Sequence, residues 1–144
     1  MEKFNSLDLV IADPKSSINI EEYLGKYKDC PFFITKCVNN IVYIDEVYIE
    51  ARVPAEALML VKDYVFNKYG FRRKDIVYIR GTLEEVEIIE FEEYYIDPED
   101  GFTGISIVHE DKSKEYMNKI THIDEFMTKD EYRSLTICEI LSDD

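Results

Sequence analysis

Residues 30–53 read CPFFITKCVNNIVYIDEVYIEARV, two β-rich runs that meet at Asn39-Asn40. No other stretch narrows the choice of fold as much. A two-residue turn between antiparallel strands needs positive φ at both central positions, and asparagine tolerates that conformation better than most residues with a side chain. The pair therefore predicts a hairpin. In its second strand Ile41, Tyr43, Val47, Ile49 and Ala51 are expected on one face, with Asp45 the exception.

The flanking segments add helix and further strand. SLDLVIAD, residues 6–13, reads as a short buried strand stopped by Pro14, and INIEEYLGKY, residues 18–27, as a short helix that Ser17 could cap. PAEALMLVKDYVFNKYG, residues 54–70, is the clearest helical pattern. Pro54 suits a first turn, Ala57, Leu58, Val61, Tyr64, Val65 and Tyr69 make an apolar stripe, and Gly70 stands at the stop. KDIVYIRG, residues 74–81, then reads as a strand, giving either a crossover unit or a split arrangement within an antiparallel sheet.

Residues 82–100, TLEEVEIIEFEEYYIDPED, send mixed signals. Thr82 with Glu85 has the form of a helix capping box. Against that, Val86, Ile88, Ile89, Phe91, Tyr94, Tyr95 and Ile96 are strand formers, and apolar and acidic residues alternate until the phase slips near Ile89. A β-bulge there would restore the faces. Asp97-Pro98-Glu99-Asp100-Gly101 has turn chemistry and TGISIVHE, residues 103–110, is a plausible return strand. The reading is a hairpin with residues 82–96 as its acidic arm. Downstream, KSKEYMNKI (112–120) reads as a short amphipathic helix, and Thr128 with Glu131 forms a second capping-box pattern before YRSLTICEIL (132–141). The expected architecture is α+β, with residues 1–144 in a single domain. It has a mainly antiparallel sheet, one central amphipathic helix (54–69) and short C-terminal helices.

Charge is distributed unevenly. Residues 1–80 hold 12 acids and 12 bases, whereas residues 81–144 hold 19 acids and 5 bases and carry the whole net charge of −14. No lysine or arginine occurs from Gly81 to Asp111. Such asymmetry points to a charged partner, although a solvated face is the ordinary use of an acidic run. Hydrophobic residues make up 46% and charged residues 33%, which is the balance of a folded globular protein and not of a disordered tail. No apolar run is long enough to span a bilayer, and the first residues lack the pattern of a signal peptide, so a cytoplasmic protein is expected. Three cysteines, Cys30, Cys37 and Cys138, an odd number without a CxxC pair, fit that compartment as buried thiols.

Several chemistries lack their residues. GxGxxG, GxxxxGK[ST] and GxSxG are all missing. Residues 97–101 crowd aspartate near glycine as calcium loops do, but without the alternating spacing or the distal glutamate. His109 and His122, with acidic neighbours, read as surface residues and not as metal ligands. Arg72-Arg73-Lys74 closes the main helix, and three cations cannot offset this protein's charge against a polyanion, so direct nucleic-acid binding is not expected. A catalytic carboxylate pair needs one desolvated member, and the glutamates here take exposed phases. No catalytic residue, metal site or cofactor is expected.

The expected site is instead a protein-binding surface made of Glu84, Glu85, Glu87, Glu90, Glu92, Glu93, Asp97, Glu99 and Asp100, with Phe91 and Tyr95 as anchors. Tyr94 and Phe102 are of the same interface-enriched types. On one bulged strand, Glu85, Glu87, Glu90 and Glu92 would form a line of carboxylates spaced at about 6.6 Å, roughly half the axial density of phosphates along one DNA strand. The partner expected is a basic nuclease or nucleic-acid-binding protein. The chain would then be an acidic inhibitor, either an immunity protein to a nuclease toxin or a phage anti-defence (anti-CRISPR-type) mimic of nucleic acid, with no membrane contact. The alternatives are an adaptor or oligomer subunit, such as a homodimer pairing through the hairpin edge, and a small metal- or carboxylate-dependent enzyme.

Overall fold

A computed structural model describes residues 2–111, 117–128 and 130–135. The fold is α+β. Its described strands form four antiparallel sheets of three strands, joined by short helices and one helix of nine residues. The chain divides into two compact units, Met1–Tyr64 with Glu92–Ile105, and Val65–Phe91 with Ser106–Asp144. No helix among the described residues is long and apolar enough to cross a membrane.

In the first unit, β1 (Leu9–Ala12) lies between β2 (Phe32–Phe33) and β6 (Leu58–Leu60). Between β1 and β2 a short helix, α1 (Glu21–Leu24), runs on into a 3-10 turn, Gly25–Tyr27. A meander of β3 (Lys36–Val38), β4 (Ile41–Asp45) and β5 (Glu50–Pro54) forms the second sheet. Asn39 and Asn40 connect β3 to β4 at φ 53° and 61°, the doubly left-handed turn their side chains favour. Val10, Val42, Ile44, Val53 and Leu58 are fully buried together with Phe32 and Ile34.

The second strand of that hairpin ends sooner than its sequence suggests. The chain reverses through residues 46–49, pairing Asp45 with Glu50, and the Glu46 N–H donates to the Ile49 carbonyl at 2.9 Å. Alternation cannot carry through a reversal. The buried positions are therefore Val42, Ile44, Ala51 and Val53, and Val47 is 89% exposed at the tip.

The helix expected over 54–69 is also shorter. Its ordered form, α2, covers Val61–Tyr69. Pro54 ends β5 with an extended ψ of 130°, Ala55–Ala57 make one 3-10 turn, and Leu58–Leu60 pair with β1 as β6. Sheet pairing overrides helix propensity here, and it still buries Ala57 and Leu58. No crossover unit results, because β6 and β7 (Ile76–Ile79) join different sheets.

In the second unit β7 lies between β8 (Glu85–Glu87) and β12 (Phe126–Met127). Two longer strands, β9 (Glu90–Asp97) and β10 (Phe102–Glu110), form a hairpin of which residues 92–105 belong to the first unit. The later residues of β10, Ser106–Glu110, pair with β11 (Asn118–His122). Part of the helix expected over 112–120 is therefore strand, held by that ladder, and residues 112–116 lie outside the described residues. Thr82 caps no helix either: its hydroxyl takes the Glu84 N–H at 3.2 Å in a turn where Leu83 has φ 59°, and β8 begins at Glu85. The second pattern does cap. Thr128 Oγ1 accepts the Glu131 N–H at 3.1 Å and residues 130–135 are helical, while 136–141 lie outside the described residues.

Candidate functional site

The acidic segment is divided by the fold. It is not one bulged strand, because Glu85 and Glu87 stand on β8 and Glu90 and Glu92 on β9, in different sheets. The switch comes at the phase slip. Ile88 exchanges hydrogen bonds with the segment leading into β7, accepting from Lys74 N–H at 2.7 Å and donating to Asp75 at 2.9 Å. The next N–H, of Ile89, donates to Val108 on β10 at 2.8 Å. Partners in two different sheets draw successive residues apart, so no continuous line of four carboxylates forms. Glu84, Glu85, Glu87, Glu90 and Phe91 belong to the second unit, and Glu92, Glu93, Tyr95, Asp97, Glu99 and Asp100 to the first. By the same division, net charge is −9 on the first unit and −5 on the second, so both are acidic.

Other expected site residues have structural duties. Phe91 is 5% exposed and is a core residue. Glu90 is held by Arg73, Oε1 to Nε 2.9 Å. Phe102 stacks obliquely on Tyr27 at 5.2 Å with Lys26 above its ring at 5.7 Å, so a span without bases in sequence is not without bases in space.

The hairpin end of the first unit keeps the expected character. Along β9, Glu92, Tyr94 and Ile96 point to one side and Glu93, Tyr95 and Asp97 to the other. Tyr94 is 50% exposed and Ile96 60%, and Tyr95 is also exposed. The turn is ordered as its composition predicts: Asp97 Oδ1 accepts from the N–H groups of Glu99 (3.2 Å) and Asp100 (3.4 Å), and Gly101 closes it with φ 78°. It is anchored below by Tyr27, whose hydroxyl donates to the Asp100 carbonyl at 2.6 Å.

The loop at residues 46–49 completes this surface. The Tyr48 hydroxyl donates to the Pro98 carbonyl, its ring lies against Gly101, and it meets Tyr95 edge-on with centroids 6.3 Å apart. The carboxyls of Glu46, in this loop, and Glu93, on β9, both titrate above the usual carboxylate range. Burial, then the Glu46 charge, pushes the Glu93 carboxyl up to about 8. Burial also raises Glu46, against hydrogen bonds from Glu93 and the Phe33 amide. Glu93 Oε2 is enclosed without a hydrogen-bond partner. Tyr95 is raised by burial and by the same two carboxyls. Glu93 was expected on the exposed surface; it lies partly buried because its side of β9 faces the 46–49 loop. Glu46 had no sequence signal beyond its place in a strand-like run.

His109, read from sequence as a surface residue, is 1% exposed. Its Nε2 lies 2.9 Å from Thr121 Oγ1, its Nδ1 3.1 Å from the Glu110 carbonyl, and Phe126 packs edge-on against the ring. Both ring nitrogens are occupied within the fold. His122 is partly buried, its Nδ1 accepting the Asp124 N–H at 3.2 Å. Cys30 and Cys37 are buried free thiols, and Cys138 lies outside the described residues. Among the described residues no three His, Cys, Asp or Glu side chains converge as a metal site.

Fold and site together define an α+β protein with an acidic, aromatic hairpin end. No protein-family model, curated protein or solved structure matches the chain.

Proposed function

We propose that the protein is an acidic, cytoplasmic inhibitor that binds a basic, nucleic-acid-handling protein through the hairpin end of its first unit. The observation that carries this reading is the exposure of Tyr94, Tyr95, Ile96 and Val47 among Glu92, Asp97, Glu99 and Asp100, within a chain of net charge −14. Carboxylates accelerate encounter with a cationic surface, while exposed rings supply the apolar contact that slows release. The two functions need different residues, and this surface holds both. Occupying a groove built for polyanions blocks nucleic acid by competition, which requires no catalytic group here. An immunity protein and a phage-encoded inhibitor share these properties. The buried free thiols fit a reducing compartment.

Immobilised protein should retain from its native cytosol a basic protein that binds or cuts nucleic acid, and rising salt should release it. Adding the free protein should then abolish that partner's nucleic-acid binding. Retention that ignores salt, or a partner whose nucleic-acid binding is unaffected, would exclude the reading. Changing Glu92, Glu99 and Asp100 together to Gln, Gln and Asn should slow association by about tenfold, because steering depends on the local field, while leaving the melting temperature nearly unchanged. Tyr94→Ala should act on dissociation instead. Stopped-flow association at low and physiological salt separates the two effects.

A further inference from the structure

In an antiparallel pair the N–H and C=O of one residue point to the same side of its strand, and that side alternates from residue to residue. The Asp97 carbonyl accepts the Gly101 N–H at 2.9 Å across the turn, so Asp97, Tyr95 and Glu93 turn their backbone groups toward β10. The N–H and C=O groups of Glu92, Tyr94 and Ile96 therefore point away from it. β9 is the last strand of its sheet, and no other described strand pairs along that outer side. An edge left so is a template for another strand, and lysine or proline is the usual means of blunting it. Residues 92–97 contain neither. Their side chains also follow a definite order. Tyr94, Tyr95 and Ile96 are exposed in the middle, Glu92 stands at one end, and Asp97, Glu99 and Asp100 at the other.

We propose that the outer edge of β9 binds by strand addition, and that its occupant is an extended segment of the basic partner with cationic residues on both sides of an apolar centre. This rests on the reading above and names the part of the partner that the surface takes. Backbone groups of the added segment bond to those of Glu92, Tyr94 and Ile96, which gives affinity, and its alternate side chains lie beside the exposed rings. Charge selects the occupant. Like charges directly opposed across a strand pair destabilise it, whereas opposite charges stabilise it. A second copy pairing antiparallel about Tyr94 and Tyr95 sets each Glu92 against the Asp97 of its mate. A neutral strand gains nothing at either end. A cationic segment is favoured at both ends at once. The acidic ends thus guard the edge against self-pairing without closing it to a basic strand.

The test uses the whole protein and two short peptides with arginine at both ends of an alternating valine–threonine centre. One of them is N-methylated throughout that centre, so that it cannot pair as a strand. In amide NMR the plain peptide should slow hydrogen exchange at Tyr94 and Ile96 by about tenfold or more, and the methylated one should not. Tyr94→Pro removes an outward N–H that Tyr94→Ala keeps, while both lack the ring, and an edge position whose N–H faces solvent tolerates proline. The proline variant should bind the plain peptide about tenfold more weakly than the alanine variant, the usual cost of leaving one hydrogen-bonding group unpaired. Protection that is absent or equal with both peptides, or equal binding by both variants, would overturn the edge. If Tyr94→Pro does not fold, the peptide comparison alone decides. A dimer in sedimentation that Tyr94→Pro dissolves would give the edge to a second copy and overturn the proposed occupant. Peptide protection in a protein that retains no basic partner would sustain the edge and overturn the partner reading. A basic partner, released by salt, that binds Tyr94→Pro and Tyr94→Ala alike would do the reverse.

Discussion

Phe91→Ala should lower the free energy of unfolding by about 3–5 kcal/mol, the usual cost of emptying a buried aromatic site. The sequence places Phe91 within an acidic run, where it reads as an interface anchor, but the ring is 5% exposed and belongs to the second unit's buried set. Urea unfolding followed by far-UV circular dichroism measures the loss as a fall in midpoint at unchanged slope. Association of the remaining folded protein with a basic partner should be unaltered, in contrast to Tyr94→Ala. A Phe91→Ala protein that melts normally yet releases its partner faster would return the ring to the interface.

Gly101→Ala should cost about 2–4 kcal/mol, from two causes that can be separated. The backbone there has φ 78°, which an L side chain rarely adopts, and an added Cβ would overlap the Tyr48 ring close to its attachment, where it cannot swing away. The collision should also push the 46–49 loop off the turn. In a double-mutant cycle, Tyr48→Ala should recover the steric part of the loss and leave roughly 1 kcal/mol, the backbone part alone. If Tyr48→Ala recovers nothing, the two hairpin ends do not touch in solution as they do in this structure.

Both substitutions turn on relations that the sequence encodes unevenly. Asn39-Asn40, Asp97 to Gly101 and Thr128 with Glu131 were legible, and each forms the turn or cap its residues predict. In each case a side chain acts on backbone groups no more than four residues away, so composition alone carries the information. The exposed rings and carboxylates at residues 92–100 were legible too as an acidic, aromatic segment. The phase slip at Ile89 was visible as a fault in alternation, but its resolution was not. A bulge and a change of sheet disturb the pattern alike, and only the positions of Lys74, Asp75 and Val108 decide between them.

Tertiary structure decided the rest, for the same reason. Leu58–Leu60 have the periodicity of a helix, and β1 supplies a row of partners that makes them a strand. His109 ends an apparently exposed strand, and Thr121 and Phe126 bury it. Glu46 and Glu93 are two ordinary glutamates far apart in the chain, each in a run that suits solvent. Burial raises the pKa of both, and desolvation is a property of the surroundings and not of the residue. Local backbone preference is written where it acts, whereas burial is conferred by residues from elsewhere in the chain.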